Sequence, residues 1–231
     1  MLITTVPFGA IDRRPLTLLG IEKIEYLINP FGRKLQEEEL ISLIGEFDAV
    51  IAGTEPITGK VLEHAPRLKL ISRVGIGLDN VDLLAARENN VTVSYTPDAP
   101  SAAVAELAIC QMLSLLRHTH QSSNQLHGGE WYRHLGRRLS ESVVGIIGVG
   151  RIGILVIRHL LSFDCKRIMI NDLNFSQGFT NDQNLEWCTK DEIYKKADVI
   201  SIHVPLTAQT RYMIGMAELQ SMKSDTVLVN T

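Results

Sequence analysis

Short apolar runs separated by helix-patterned polar stretches fill the first 95 residues. "LITT" (2–5), "IEYLI" (24–28), "DAVIAG" (48–53), "LKLISR" (68–73) and "VTVSY" (91–95) have the length and β-branched content of strands. Between them, "LQEEELISLIGE" places apolar residues at 35, 40, 41, 43 and 44 and clusters glutamates near its start, where a helix dipole favours anions. "NVDLLAARENN" predicts a shorter helix with Asp79 or Asn80 as its N-cap. Strands alternating with helices in this way predict a parallel sheet covered on both faces.

The texture changes at "SYTPDAPSAAVAELA", where two prolines and an aspartate precede a nearly all-apolar helix over about 101–117. A helix apolar on all sides is expected between other elements or in a subunit interface. The polar, basic stretch "RHTHQSSNQLHGGEWYRHLGRRLSES" then leads to a second series, with strands near 143–147, 167–171, 199–203 and 226–230 and a short one near 185–187. The division into two domains therefore falls near residue 96, giving 1–95 and 96–231. The last strand, "TVLVN", is apolar enough for the inside of a parallel sheet, buried on both faces, and in a chain of residues 1–231 it is expected to leave an open edge and an exposed apolar face.

Composition narrows the class of partner. A formal charge of −3 gives no electrostatic attraction to nucleic acid or to an anionic membrane. Cys110, Cys165 and Cys188 are too few and too scattered for a disulfide framework, which fits a reducing compartment. The start, "MLITTVPFGA", lacks a basic export signal, and "SAAVAELAICQMLSLL" is too short to span a bilayer. The expectation is a cytoplasmic protein.

Chemistry enters with "VVGIIGVGRIGILV" (143–156). Gly148, Gly150 and Gly153 form G-x-G-x-x-G directly after an apolar strand and at the start of a helix. The first glycine permits a tight turn, the second lets backbone approach a pyrophosphate, and the third lets helix pack on strand. The helix start then offers its positive end to the phosphates. The strand "KRIMIND" follows, and Asp172 stands 19 residues after Gly153, where an acid is needed to hold the ribose hydroxyls. A carboxylate there would repel the extra phosphate of NADP, and the neighbours Leu173 and Asn174 carry no cation, so NAD is expected. In the first half, "RVGIGLDN" follows a strand and precedes a helix, so the amides of Gly75, Ile76 and Gly77 can form an anion-binding concavity. Arg73 beside them either binds a carboxylate or phosphate or is a solvated arginine before a turn.

With these residues in view, the chain resembles the D-isomer-specific 2-hydroxyacid dehydrogenases. The resemblance runs from about residue 48 to the last residue and rests on "SRVGIGLDNVDL", "TPDAPSAAVAELAICQMLSLLR", "GEWYR", "VVGIIGVGRIG", "ADVISIHVPLTAQTRYMI" and "MKSDTVLVNT". The spacing is most similar to the D-3-phosphoglycerate dehydrogenase branch. The resemblance implies an α/β fold: a flavodoxin-like substrate domain over 1–95 and an NAD-binding Rossmann domain over 96–231, both doubly wound parallel sheets, the second lacking its C-terminal part. It implies that Arg151 and Ile152 meet the pyrophosphate through backbone and that Asp172 holds the adenosine ribose. Val204, Pro205 and Thr210 would line the adenine and ribose side, Thr96 would lie near the nicotinamide, and Thr231 would stand beside the cofactor. Arg73, Gly75 and Ile76 would receive the acid's carboxylate. The reaction implied is hydride transfer between NAD(H) and the C2 group of a D-2-hydroxy or 2-keto acid. The protein would work as a homodimer through residues around 101–140.

Three groups complete that chemistry in the resembling proteins: an arginine shortly after "VNT", then a glutamate and a histidine tens of residues later. None is found up to Thr231, so no catalytic residue is assigned within the chain, and the polypeptide 1–231 is expected to show no reductase activity. The other reading is an NAD(H)-binding sensor or interaction module without turnover. No metal site is expected: His118 and His120 would point apart on a helix, His127 and His134 lie in the polar stretch, and His203 precedes the cofactor loop without being the catalytic acid. Tyr95, Asp98, Pro100, Glu141 and Ser142 depart from the family's common residues, and the first three leave the identity of the substrate open.

Overall fold

The computed structural model describes residues 1–173 and 183–231, and Asn174 lies outside the described residues. The chain divides into two compact units, Met1–Pro100 and Ser101–Thr231. Within the described residues no helix is long and apolar enough to cross a membrane.

The first unit runs β1 (Leu2–Ile3), α1 (Arg14–Ile21), β2 (Leu27–Ile28), α2 (Glu37–Ile44), β3 (Ala49–Ala52), α3 (Gly59–Glu63), β4 (Leu70–Arg73), α4 (Leu83–Glu88) and β5 (Thr92–Tyr95). Its strands are all parallel, in the order β2-β1-β3-β4-β5. This is the 2-1-3-4-5 order of a flavodoxin-like sheet, whose direction of winding switches between β1 and β3. Helix α2 starts where the sequence places it. Gln36 is its N-cap, the Gln36 N–H donates to Glu39 at 2.9 Å, and Glu37, Glu38 and Glu39 occupy the first turn. Its apolar stripe buries Leu40 and Ile44 against Leu2, Val50 and Ile71 of the sheet. The cap of α4 differs from expectation: Asp82 accepts the Ala85 N–H at 3.0 Å, and neither Asp79 nor Asn80 caps the helix. The reason is a short bridge in which Val81 pairs with Ile57 and the Asp82 N–H donates to the Ile57 carbonyl at 2.9 Å. That bridge keeps the chain extended up to residue 82.

The second unit runs α5 (Ser101–Leu116), α6 (Thr119–His127), β6 (Val143–Ile147), α7 (Arg151–Ser162), β7 (Arg167–Asn171), β8 (Leu185–Trp187), α8 (Lys190–Lys196), β9 (Val199–Ile202), α9 (Met216–Ser221) and β10 (Val227–Asn230). Its five parallel strands are ordered β10-β9-β6-β7-β8. Counted within the unit, this is the 3-2-1-4-5 sequence of a Rossmann sheet, with its switch point between β6 and β9. Val156, Ile157 and Leu160 of α7 are fully buried against this sheet, a burial worth about 1.5–3 kcal/mol for each side chain. β10 is the edge strand of this sheet among the described residues, with Val229 buried and Leu228 37% exposed, as the open edge expected of the last strand.

Helix α5 is also not enclosed on all sides. It lays Ala105, Ala108, Ile109, Met112 and Leu116 into the core, but Leu107 is 49% exposed and Leu115 38%. The stretch read as a polar connector contains α6, and after it Trp131, Tyr132 and Leu135 stand exposed.

Candidate functional site

The switch point of the second sheet opens a cavity of about 340 Å³ at the carboxyl ends of β6 and β9. Six residues singled out in the sequence line it together: Gly148, Gly150, Asp172, Val204, Pro205 and Thr210. Gly148 turns the chain off β6 with φ of +98°, and a Cβ there would stand 2.6 Å from the His203 carbonyl oxygen. A Cβ at Gly153 would come 2.0 Å from the Gly148 carbonyl oxygen, so only a glycine lets α7 start this close to β6. Gly150 is different, since a Cβ there would meet nothing within 4 Å. Its bare backbone faces open cavity, as close approach of a pyrophosphate requires.

Gly150 is also the N-cap of α7, and Arg151 and Ile152 form its first turn, at the positive end of the helix. Asp172 directly follows the neighbouring strand β7, and its carboxylate accepts the Val149 N–H at 2.7 Å, which ties the acid to the glycine turn. The opposite wall is stiffened by Thr210, whose hydroxyl donates to the Pro205 carbonyl at 2.5 Å and accepts the Thr207 N–H at 2.8 Å. The donor set, the open backbone and the carboxylate fit a dinucleotide. Thr231 follows β10, is exposed, and does not line this cavity.

Among the further residues that line the cavity and that sequence reasoning did not assign to it are Lys190 and His203. Lys190 opens α8, and its 18-residue separation from Asp172 hid a cation that shares a wall with the acid. His203 is held down to a pKa of about 4 by burial, so its ring is neutral at physiological pH. Its Nε2 lies 2.9 Å from the buried Ser201 hydroxyl, and its Nδ1 has no hydrogen-bond partner. Elsewhere, His134 is half-buried rather than solvated, with Nε2 at 2.6 Å from the Gln125 side-chain oxygen. No cluster of metal-ligating residues occurs among the described residues.

In the first unit, β4 delivers Arg73 to the carboxyl edge of the sheet. Arg73 is only 8% exposed, so it is not the solvated arginine of the alternative reading. Its Nε donates to Asn80 Oδ1 at 3.2 Å, and Nη1 donates to the Val74 carbonyl. Asn80, read in the sequence as a helix cap, instead joins three segments, because its Nδ2 also donates to the Gly53 and Glu55 carbonyls at 3.2 and 2.7 Å. Gly75 has φ of +140° and lies against the Arg73 guanidinium, with a built Cβ 2.6 Å from Nη1. The Gly75 N–H donates to the Thr96 hydroxyl at 2.9 Å. Thr96 therefore braces the glycine turn in this structure, and the amides of Ile76 and Gly77 are the ones left to meet an anion.

Residues 109–231, more than half of the chain, match the family model described as D-isomer specific 2-hydroxyacid dehydrogenase, NAD binding domain. The chain belongs to this dehydrogenase family. A hydroxypyruvate reductase of Thermotoga maritima is 36% identical over 85% of the chain, and a D-3-phosphoglycerate dehydrogenase of Methanocaldococcus jannaschii is 37% identical over 85%. The chain spans 64% of the length of the first relative and 38% of the second. Among solved structures, D-lactate dehydrogenase from Aquifex aeolicus complexed with NAD and lactic acid superposes with a TM-score of 0.83 at 25% identity, covering 99% of this chain and 68% of that one. Residues 109–231 of the second unit thus match the NAD-binding domain of this family, and the cofactor is NAD.

Proposed function

We propose that this chain is the reactant-binding part of an oxidoreductase that moves a hydride between NAD(H) and C2 of a D-2-hydroxy or 2-keto acid. The observation that carries the reading is the cavity at the β6/β9 switch point, where Gly150 and the start of α7 face the space that Asp172 closes. NAD, when bound there, supplies or accepts the hydride. This chain's residues bind and orient. The first turn of α7 receives the pyrophosphate, Asp172 takes the ribose hydroxyls, and the amides of Ile76 and Gly77 with Arg73 receive the acid's carboxylate. The relatives' names include reductases of hydroxypyruvate and glyoxylate and a dehydrogenase of 3-phosphoglycerate, three acids that share the C2 centre and differ at the substituent beyond it. Motif spacing alone leans towards the phosphoglycerate branch.

The proton that accompanies the hydride needs an acid–base group near neutral pKa. His203, which lines the cavity, is held down to a pKa of about 4 by burial and does not fill that role. The second reading is NAD(H) binding without turnover. The two readings are separated by a graft: the segment that follows the Asn230-Thr231 equivalent in the Thermotoga relative is joined after Thr231. The proposal expects NADH oxidation with hydroxypyruvate or glyoxylate by the graft and none by residues 1–231, while a folded graft that binds NADH without reducing any acid favours the second reading. We further place the protein in the cytoplasm as a homodimer, on the support of three free cysteines and of the exposed Leu107, Leu115, Trp131, Tyr132 and Leu135.

A further inference from the structure

The stretch from Glu130 to Arg137 returns from α6 towards β6 between two backbone anchors. The Glu130 N–H donates to the Gln125 carbonyl at 2.8 Å, and the Arg137 N–H donates to the Leu116 carbonyl at 3.0 Å. Between these anchors, residues 131–135 adopt no regular structure and make no backbone hydrogen bond among the described residues. Rings join this span to the start of α6. The His134 ring lies 5.4 Å from the His118 ring, centroid to centroid, at an interplanar angle of 32°. Tyr132 packs edge-on against His134 at 4.7 Å. His118 is the N-cap of α6 and holds a left-handed conformation, with φ of 54° and ψ of 34°.

Both imidazoles are half-buried, and each gives one nitrogen to α6. His118 Nδ1 lies 2.6 Å from the Gln121 side-chain oxygen, and His134 Nε2 lies 2.6 Å from that of Gln125, one helical turn on. A carboxamide oxygen only accepts, so these nitrogens carry the proton of the neutral ring. His118 Nε2 and His134 Nδ1 keep the lone pairs, and a proton taken there makes each ring a cation. Histidine is the side chain that gains charge between about pH 8 and pH 5. Two unit charges 5.4 Å apart repel enough to shift an equilibrium about fourfold at the dielectric of water, and more at a protein surface. The surroundings add cations rather than acids. Arg117 follows α5, with Nε 3.1 Å from a Cβ built at Gly136. His120 and His127 lie on α6, and Arg133, Arg137 and Arg138 lie on the returning stretch. Glu130 is the only acid between residues 117 and 140. The acids contributed from outside are already paired, Asp225 and Asp198 with Arg137 at 3.1 and 3.8 Å and Glu141 with Arg138 at 3.3 Å.

Resting on the homodimer reading above, we infer that His118 and His134 form a pH-sensitive latch. Near neutral pH the paired rings hold residues 131–135 against α6, and in mild acid their mutual repulsion releases the span. That span carries Trp131, Tyr132 and Leu135, which are 86%, 62% and 91% exposed, so acid weakens self-association.

The test measures self-association of the full 231-residue chain by sedimentation equilibrium in low salt, at about pH 7.5 and about pH 5. Amide hydrogen exchange of residues 131–135, corrected for the intrinsic effect of pH, is read on the same samples. The parent chain should lose at least about fourfold in association constant on acidification, with faster exchange in the span, and added salt should shrink the loss. His134→Gln removes one charge and should bring the loss within about twofold, whatever it does to the association constant at neutral pH. His134→Glu faces His118 with an acid and should reverse the sign, so that acid tightens the span. His120→Gln, on the exposed side of α6, should behave as the parent does. A parent chain whose span and association ignore pH overturns the inference, as does a His134→Gln chain that responds to acid as strongly as the parent. A chain that is monomeric throughout ends the dimer reading only: acid-accelerated exchange in the parent that His134→Gln abolishes still establishes the latch, and its absence removes the latch as well.

Discussion

Gly150→Val separates the two duties of the glycine turn, cofactor approach and fold. Residue 150 has φ −85° and ψ −157°, an extended conformation open to valine, and its built Cβ meets nothing within 4 Å. The fold should accept the substitution, at about 1 kcal/mol for replacing a tolerated N-cap by a branched one, or about 2–4 °C in Tm for a chain of this size. The added methyls project into the space reserved for the pyrophosphate. Displacing the phosphates from the start of α7 removes a charge-assisted hydrogen bond worth roughly 1.5–3 kcal/mol and a helix-dipole contribution of about 0.3–1 kcal/mol. A loss near 3 kcal/mol is about a hundredfold in NADH affinity. Gly153→Val serves as the contrast, because its Cβ would lie 2.0 Å from the Gly148 carbonyl oxygen and must displace α7 from β6. Fluorescence titration with NADH and thermal melts on both variants read the difference. Gly150→Val retaining NADH affinity within about threefold, or melting as early as Gly153→Val, would refute the separation.

NADH should bind more tightly than NADPH, and Asp172→Ala should erode that preference and cost about tenfold in NADH affinity, since the carboxylate also anchors the Val149 N–H. Equal affinities in the parent chain count against Asp172 as the ribose ligand. Lys190→Ala should weaken residual NADPH binding more than NADH binding, and an unchanged ratio would remove Lys190 from the adenosine side of the cavity. Asp198 joins β9 to β6 through the Val143 N–H at 2.8 Å and to Lys223 at 2.8 Å; burial raises its pKa, but these contacts and Arg137 outweigh burial and lower it. Its stabilisation is present above the unfolded carboxylate pKa and lost as pH falls through the lowered folded value, so Asp198→Asn should cost about 1–2 kcal/mol in urea melts at pH 7 and less at pH 3. A constant difference across that range would contradict the linkage. Trp131→Ser should weaken self-association in sedimentation equilibrium, and a parent chain that is monomeric at high concentration would end the dimer proposal.

The elements legible in the sequence were those with a strong period or strong punctuation. β6, the glycine turn, α7 and Asp172 were readable because their chemistry is local: each glycine has a defined reason within a few residues, and the acid follows at the end of the next strand. Helix α2 announced itself through its glutamate cluster and apolar stripe. What was not legible depends on contacts between distant segments. Asn80 reads as a cap until the Ile57–Val81 bridge extends the chain past it and frees its side chain to join Gly53, Glu55 and Arg73. Glu55 carries no motif, and only the fold brings it and Arg73 to the lining of one cavity. Lys190 is not legible beside Asp172 in the chain, because α8 brings this cation to the cavity from 18 residues away. Helix α5 read as uniformly apolar because alanine and leucine hide which face is packed.

The central proposal is that residues 1–231 bind NAD(H) and a 2-keto acid. Its most direct test is deuterium transfer by the grafted chain described above. With NADH deuterated at the transferable C4 position and hydroxypyruvate, the account predicts D-glycerate carrying one deuterium at C2, detected by mass spectrometry and proton NMR, and no transfer by Gly150→Val in the same graft. A folded graft that binds NADH yet yields no deuterated glycerate would contradict it, as would deuterium appearing at C2 in equal amount with Gly150→Val.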